Sequence, residues 1–203
     1  MKGMRSGILS MAGLLAVMLI AGAAAAQGVQ SAPIDLAVTY NVLHTNHISS
    51  QSFWMQGGAV ELGARVYRGL GVVGRVDGLH AGANSTTGEP LSLVTAVFGL
   101  RYTAETRSHR CAVFGEGLAG VSNGFDSLFS TGSGPVQLIN AGTTSNSNAL
   151  AVDLGGGLDL RINRRFAVRA VRASYLRTQF PNSTTNVQNS LSLSTGLVVR
   201  FGK

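Results

Sequence analysis

Apolar and polar residues alternate one by one along most of this chain, and that period of two constrains its fold more than any other feature. Alternation puts apolar side chains on one face of an extended strand and polar ones on the other. Segments of this kind fall at 33–43, 53–66, 70–80, 91–103, 110–122, 149–161, 166–178 and 190–201. In the first, Ile34, Leu36, Val38, Tyr40 and Val42 oppose Asp35, Thr39 and Asn41. In the sixth, Leu150, Val152, Leu154, Leu158 and Leu160 oppose Asp153 and Asp159. The seventh is imperfect, because Arg169 and Arg172 are three residues apart and fall on opposite faces. Our reading puts Arg172 with the polar face and lets Arg169 snorkel toward the neighbouring turn.

The connections set the topology. Short ones follow the second, fourth and sixth segments, around 67–69, 104–109 and 162–164. Longer ones, 44–52, 81–90, 123–148 and 179–189, follow the odd segments. Bacterial outer-membrane barrels have short periplasmic turns and longer extracellular loops, and strands of about 9–11 residues span the bilayer. The pattern predicts an all-β, eight-stranded antiparallel transmembrane β-barrel.

A soluble barrel of the lipocalin type would use the same alternation with the apolar face turned inward. Charge distribution argues for the membrane version. Only 12% of residues are charged, about half the share usual in soluble domains. The polar face carries charges of both signs: Glu61, Asp77, Glu116, Asp153 and Asp159 against Arg65, Arg75, Arg101, Arg172 and Arg200. A soluble barrel would scatter lysines over such a face, yet beyond residue 26 the only lysine is Lys203. Arginines at 65, 68, 107, 110, 161, 164 and 165 cluster at the short turns, where guanidinium groups reach anionic headgroups.

The N-terminus reads as a cleaved secretory signal over residues 1–26: Lys2 and Arg5, an apolar stretch Ile8–Ile20, then Gly22 and Ala23–Ala26. No later apolar run approaches the roughly 20 residues of a membrane helix. The barrel domain is expected over 27–203. Cys111 is the single cysteine, so no internal disulfide forms.

The run LGGGLDLRINRRFAVRAVRASYLRTQF, followed by QNSLSLSTGLVVRFGK, resembles the small outer-membrane barrels of the OmpA-like and opacity-protein superfamily. The earlier stretch GGAVELGARVYRGLGVVGRVDGLHAG fits the second and third strands of the same superfamily. That resemblance implies a non-enzymatic protein of the bacterial outer membrane. It also implies a closing strand whose aromatic residue, here Phe201, is read by the outer-membrane assembly machinery.

An eight-stranded barrel is just wide enough for side chains to fill it, so the ten lumen charges are expected to form an ion-pair and hydrogen-bond network rather than an ion pathway. Tyr40, Trp54, Tyr102 and Tyr175 are expected at the membrane interfaces. His44 and His47 with Ser49 and Ser50 have the residue types for a lipid-modifying enzyme. A catalytic pair needs a third, orienting group; the first loop has no acid, and His80 and Glu89 could contribute only if the loops converge. The same histidines could hold a metal. We expect no catalytic residues, no metal and no cofactor. The long loop 123–148 carries Phe125, Leu128, Phe129, Val136, Leu138 and Ile139, apolar residues suited either to covering the barrel mouth or to surface contact with an extracellular ligand. LGGGL at 154–158 lacks the Lys-Ser/Thr ending of a phosphate loop, and no aromatic stacking platform accompanies the arginines, which argues against nucleic acid. The remaining alternatives to a structural or interaction barrel are a narrow solute channel and a lipid A-modifying enzyme.

Overall fold

The structure is a computed structural model that describes residues 34–48, 51–82, 90–106, 110–130, 143–180 and 187–202. The expected signal peptide, Ser49, Ser50, Glu89, Arg107, Val136, Leu138 and Ile139 lie outside the described residues, as do the side chains of His47, Leu128 and Phe129.

Eight strands follow in order: β1 (Ile34–Ile48), β2 (Gln51–Tyr67), β3 (Leu70–Ala81), β4 (Leu91–Glu105), β5 (Cys111–Ser130), β6 (Thr143–Arg161), β7 (Phe166–Thr178) and β8 (Gln188–Phe201). Each pairs antiparallel with its neighbours, and β1 pairs with β8 from Ile34↔Phe201 to His44↔Leu191, which closes the barrel. Closure removes every unpaired strand edge, a requirement for any sheet set in lipid.

The two faces separate as the alternation predicts. Val38, Val60, Leu62, Phe98, Leu100, Val113, Leu154 and Leu197 are exposed on the outer wall, while Glu61, Arg75, Arg101, Glu116 and Arg172 are buried inside. A lipocalin-type arrangement is thereby excluded. Cys111 is a free thiol at the start of β5.

Local chemistry explains the turns. Arg68 and Gly69 both have positive φ, 38° and 90°, between the paired residues Tyr67 and Leu70. This is the two-residue hairpin turn whose twist matches the strands, and Gly69 accepts its second φ without strain. The turn from β6 to β7 is held by Asn163, whose Oδ1 accepts bonds from the backbone N–H of Arg165 and of Phe166, both at 2.8 Å.

Two differences from the sequence reading stand out. About half of the expected loop 123–148 is strand: β5 continues to Ser130, and β6 begins at Thr143. Asn123 supports this extension by donating from its amide to Asn146 and to Asn148, each at 2.7 Å. Such polar cross-strand pairs stabilise a ribbon that the apolar alternation no longer marks. The second difference is Arg169, which does not snorkel to the turn. It is 1% exposed, inside the barrel. A β-bulge makes this possible: Arg169 and Arg172, three apart on β7, face Gly196 and Ser194, only two apart on β8. The extra residue re-phases the strand and turns both guanidiniums inward.

Candidate functional site

The lumen is the part of the molecule where polar side chains converge. Its centre is a charged layer contributed by six strands. Glu61 on β2 sits among three arginines. Arg101 Nη1 reaches its Oε1 at 2.6 Å, Arg169 Nη1 donates to both of its oxygens at 2.9 Å, and Arg75 Nη1 lies 3.5 Å from Oε2. Glu116 on β5 accepts from Arg172 Nε at 2.6 Å and from both Nε and Nη2 of Arg101. Arg172 also donates to Asp153 at 2.6 Å and to Ser174 at 2.8 Å. Arg75 holds Asp77 with two bonds of 2.8 Å, and Asn41 donates to the same carboxylate. Asp159 accepts from Arg169 Nε at 2.9 Å.

Planar guanidiniums suit this role because each presents five donors in a fixed fork. Burial of so many charges is tolerated only when each meets partners in good geometry. The phenyl ring of Phe114 adds a further contact: the guanidinium carbons of Arg101 and Arg169 lie 4.2 and 4.6 Å from its centre. Gly157 makes room for it. A Cβ at that position would come within 2.7 Å of the ring, which accounts for part of the glycine run in β6.

The structure divides the ten expected lumen charges. Glu61, Arg75, Asp77, Arg101, Glu116, Asp153, Asp159 and Arg172 lie in the buried layer. Arg65 and Arg200 do not join it. Both lie at the short-turn rim, where Arg65 meets Glu105 at 2.6 Å, shared with Arg161 at 3.2 Å, and Arg200 lies 3.5 Å from Asp35. Their place as counter-ions is taken by Arg169. A rim position for Arg169 would leave Asp159 and Glu61 short of a partner, and breaking a buried pair costs about 3–5 kcal/mol. Three-residue spacing was the only sequence signal for the bulge.

Toward the long-loop end the lumen changes character. Leu43, Phe53, Met55, Leu79, Leu91, Leu93, Leu176 and Phe180 belong to one buried apolar cluster. Phe180 lies beyond β7 and is fixed by Gln188, whose Oε1 accepts from its N–H at 2.8 Å and whose Nε2 donates to its carbonyl at 3.0 Å. This apolar layer was not anticipated. Where both faces of a strand are apolar, alternation gives no warning. A file of small polar groups runs beside it on β8 and β1, including a 2.7 Å bond from Ser190 to Thr45. The short-turn mouth holds a cleft of about 10 Å³ between Asp35, Arg65, Arg101 and Thr103, space for about one water.

The outer wall carries the expected aromatics. Tyr40, Trp54, Tyr102 and Tyr175 are all outward and about half exposed, and Tyr67 and Phe166 join Tyr102 near the short-turn end. Tyr40 donates to Gln56 at 2.7 Å and Tyr175 to Asn189 at 2.6 Å. Phe201 is outward at the end of β8, 50% exposed. His44 lies against Trp54, ring centres 4.6 Å apart. His80 Nδ1 is 2.9 Å from Ser92 Oγ, and that hydroxyl donates to Asp126 at 2.8 Å. Asp126, one of the few charges in the expected long loops, has a positive φ of 65° at the register shift in β5. The acid holds the serine and not the histidine, so the relay of a nucleophile, a base and an orienting acid is not assembled in this arrangement. No group of three or more metal-ligating side chains occurs among the described residues.

No protein-family model matches the chain, and no curated protein matches it in sequence. Solved structures do. Neisserial surface protein A (NspA) matches with a TM-score of 0.59 at 13% identity, covering 83% of this chain and 97% of that one. Ail, the attachment invasion locus protein of Yersinia pestis, solved in complex with the heparin analogue sucrose octasulfate, matches with a TM-score of 0.54 at 13% identity, covering 84% and 99%. The chain therefore has the fold of the small eight-stranded outer-membrane β-barrels. The resemblance to the OmpA-like and opacity-protein barrels holds at the level of that fold.

Proposed function

We propose that this protein is a non-enzymatic, non-conducting barrel of the bacterial outer membrane, exported through a signal cleaved after residue 26, that acts through its extracellular loops in surface contact or envelope integrity. One observation carries the reading. The lumen is filled twice over, by a paired charged layer and by an apolar layer with Phe180 at its long-loop end. A chain whose interior is packed solid has only its ends and its outer wall left for function. The heparin analogue bound by Ail is a precedent for ligand contact on this fold. The exposed arginines of the short-turn end, Arg68, Arg110, Arg164 and Arg165, suit anionic headgroups on the periplasmic side. Outward Phe201 suits the assembly-signal role implied by the family resemblance.

Planar-bilayer recording of the purified barrel tests the central claim. The expected trace is that of the bare bilayer. Reproducible unitary steps would replace this reading with a narrow channel, for which the serine file on β8 is the candidate path.

A further inference from the structure

The outer wall is not uniform. Between β6 and β7 it carries a groove of about 460 Å³ lined by Leu150, Val152, Leu154, Tyr175, Arg177 and Gln179. Register orders these residues along the barrel. Gln179 donates its backbone N–H to Leu150, Arg177 pairs with Val152, and Tyr175 pairs with Leu154. The groove is thus polar at the long-loop end and apolar toward the middle of the wall. Tyr175 is held as one side by its bond to Asn189.

Arg177 sets this groove apart. The buried arginines of the lumen have carboxylate partners, whereas Arg177 is exposed and pairs with no carboxylate among the described residues. A cation on a lipid-facing wall reaches for the headgroup layer. Just above it, on the outward face of the same wall, Asn123 and Asn148 form an amide pair whose remaining polar atoms face outward. A guanidinium suits a phosphate, amides suit hydroxyl groups, and the Leu and Tyr surface below suits hydrocarbon. The amphiphile that combines all three in the outer leaflet is a phosphorylated, acylated sugar lipid.

We propose that this groove binds one molecule of lipid A, with a phosphate on Arg177 and an acyl chain along Leu154 and Tyr175. The proposal rests on the outer-membrane reading above.

The test is native mass spectrometry of the full barrel released from phosphatidylcholine nanodiscs doped with lipid A, dephosphorylated lipid A or phosphatidylglycerol. The wild type should retain one lipid A per barrel and at least ten-fold less of either other lipid. Arg177→Gln should lower lipid A occupancy at least ten-fold, and Val152→Trp, which fills the groove but keeps the charge, should do the same. Both variants must show wild-type heat-modifiable gel mobility to be scored; a folded Arg177→Lys barrel that keeps partial occupancy serves as the conservative arm. Undiminished occupancy in folded Arg177→Gln, or equal retention of phosphatidylglycerol, overturns the lipid A site while leaving the membrane reading intact. Failure of the wild type to insert into the nanodiscs overturns both.

Discussion

The two halves of the lumen solve the same packing problem with opposite chemistry. Near the middle and the short-turn end, Glu61 and Glu116 gather arginines from β3, β4 and β7. Near the long-loop end, Leu43, Met55, Leu91 and Leu93 interlock with Phe180. The charged half is directional: each guanidinium meets its carboxylates in only one strand register, so it specifies the barrel more than it stabilises it. The apolar half is tolerant of register but intolerant of voids. One half determines which strands meet and at what offset. The other seals.

The sharpest way to break this division is to change strand phase. Deleting Ala173 makes Arg172 and Ser174 neighbours, so either Arg172 or the set Ser174, Leu176 and Thr178 must turn to the lipid face. We expect no folded barrel, scored as loss of the heat-modifiable band. Next comes Glu61→Ala, which strips three arginines of a shared carboxylate and should cost about 3–5 kcal/mol in urea titrations of the refolded protein. Leu93→Ala leaves a void in the apolar half and should cost about 2–5 kcal/mol by the same measurement, with bilayer recordings still silent because the charged layer remains. Arg65→Ala removes only a rim pair and should cost about 1 kcal/mol or less. Smallest of all is deletion of Ala170. It removes the extra residue of the bulge, restores regular alternation with both arginines inside, and should shift stability by about 1 kcal/mol or less. If the Ala170 and Ala173 deletions behave alike, the bulge does not explain the phase of β7.

Much of the fold was legible in the sequence because a wall with lipid outside and charges inside must alternate. Segment 149–161 leaves no choice of face: Leu150 and Leu154 point outward, and Asp153 and Asp159 point in. The short turn at 67–69 was legible as the gap between two alternating segments. Three things escaped. Arg169 and Arg172 have a spacing that fits either a bulge or a rim residue, and only their distant partners decide: Glu61 is 108 positions away from Arg169. The apolar half of the lumen broke the assumption that inward means polar, since Leu91 and Leu93 face in while Val94 faces out. The outer ends of β5 and β6 are rich in Ser, Asn and Gly, types with weak strand preference, and are held by backbone pairing and an asparagine ladder instead.

Those two strands have 20 and 19 residues, whereas about 10 cross a bilayer. The surplus is roughly 9 residues on each, which at about 3.3 Å per residue and a tilt near 40° comes to roughly 20 Å of extra height. The hairpin is therefore a mast. The other six strands have 12 to 17 residues, so a segment inserted between Ser130 and Thr143 is expected to be carried farther from the bilayer than one in any other long connection.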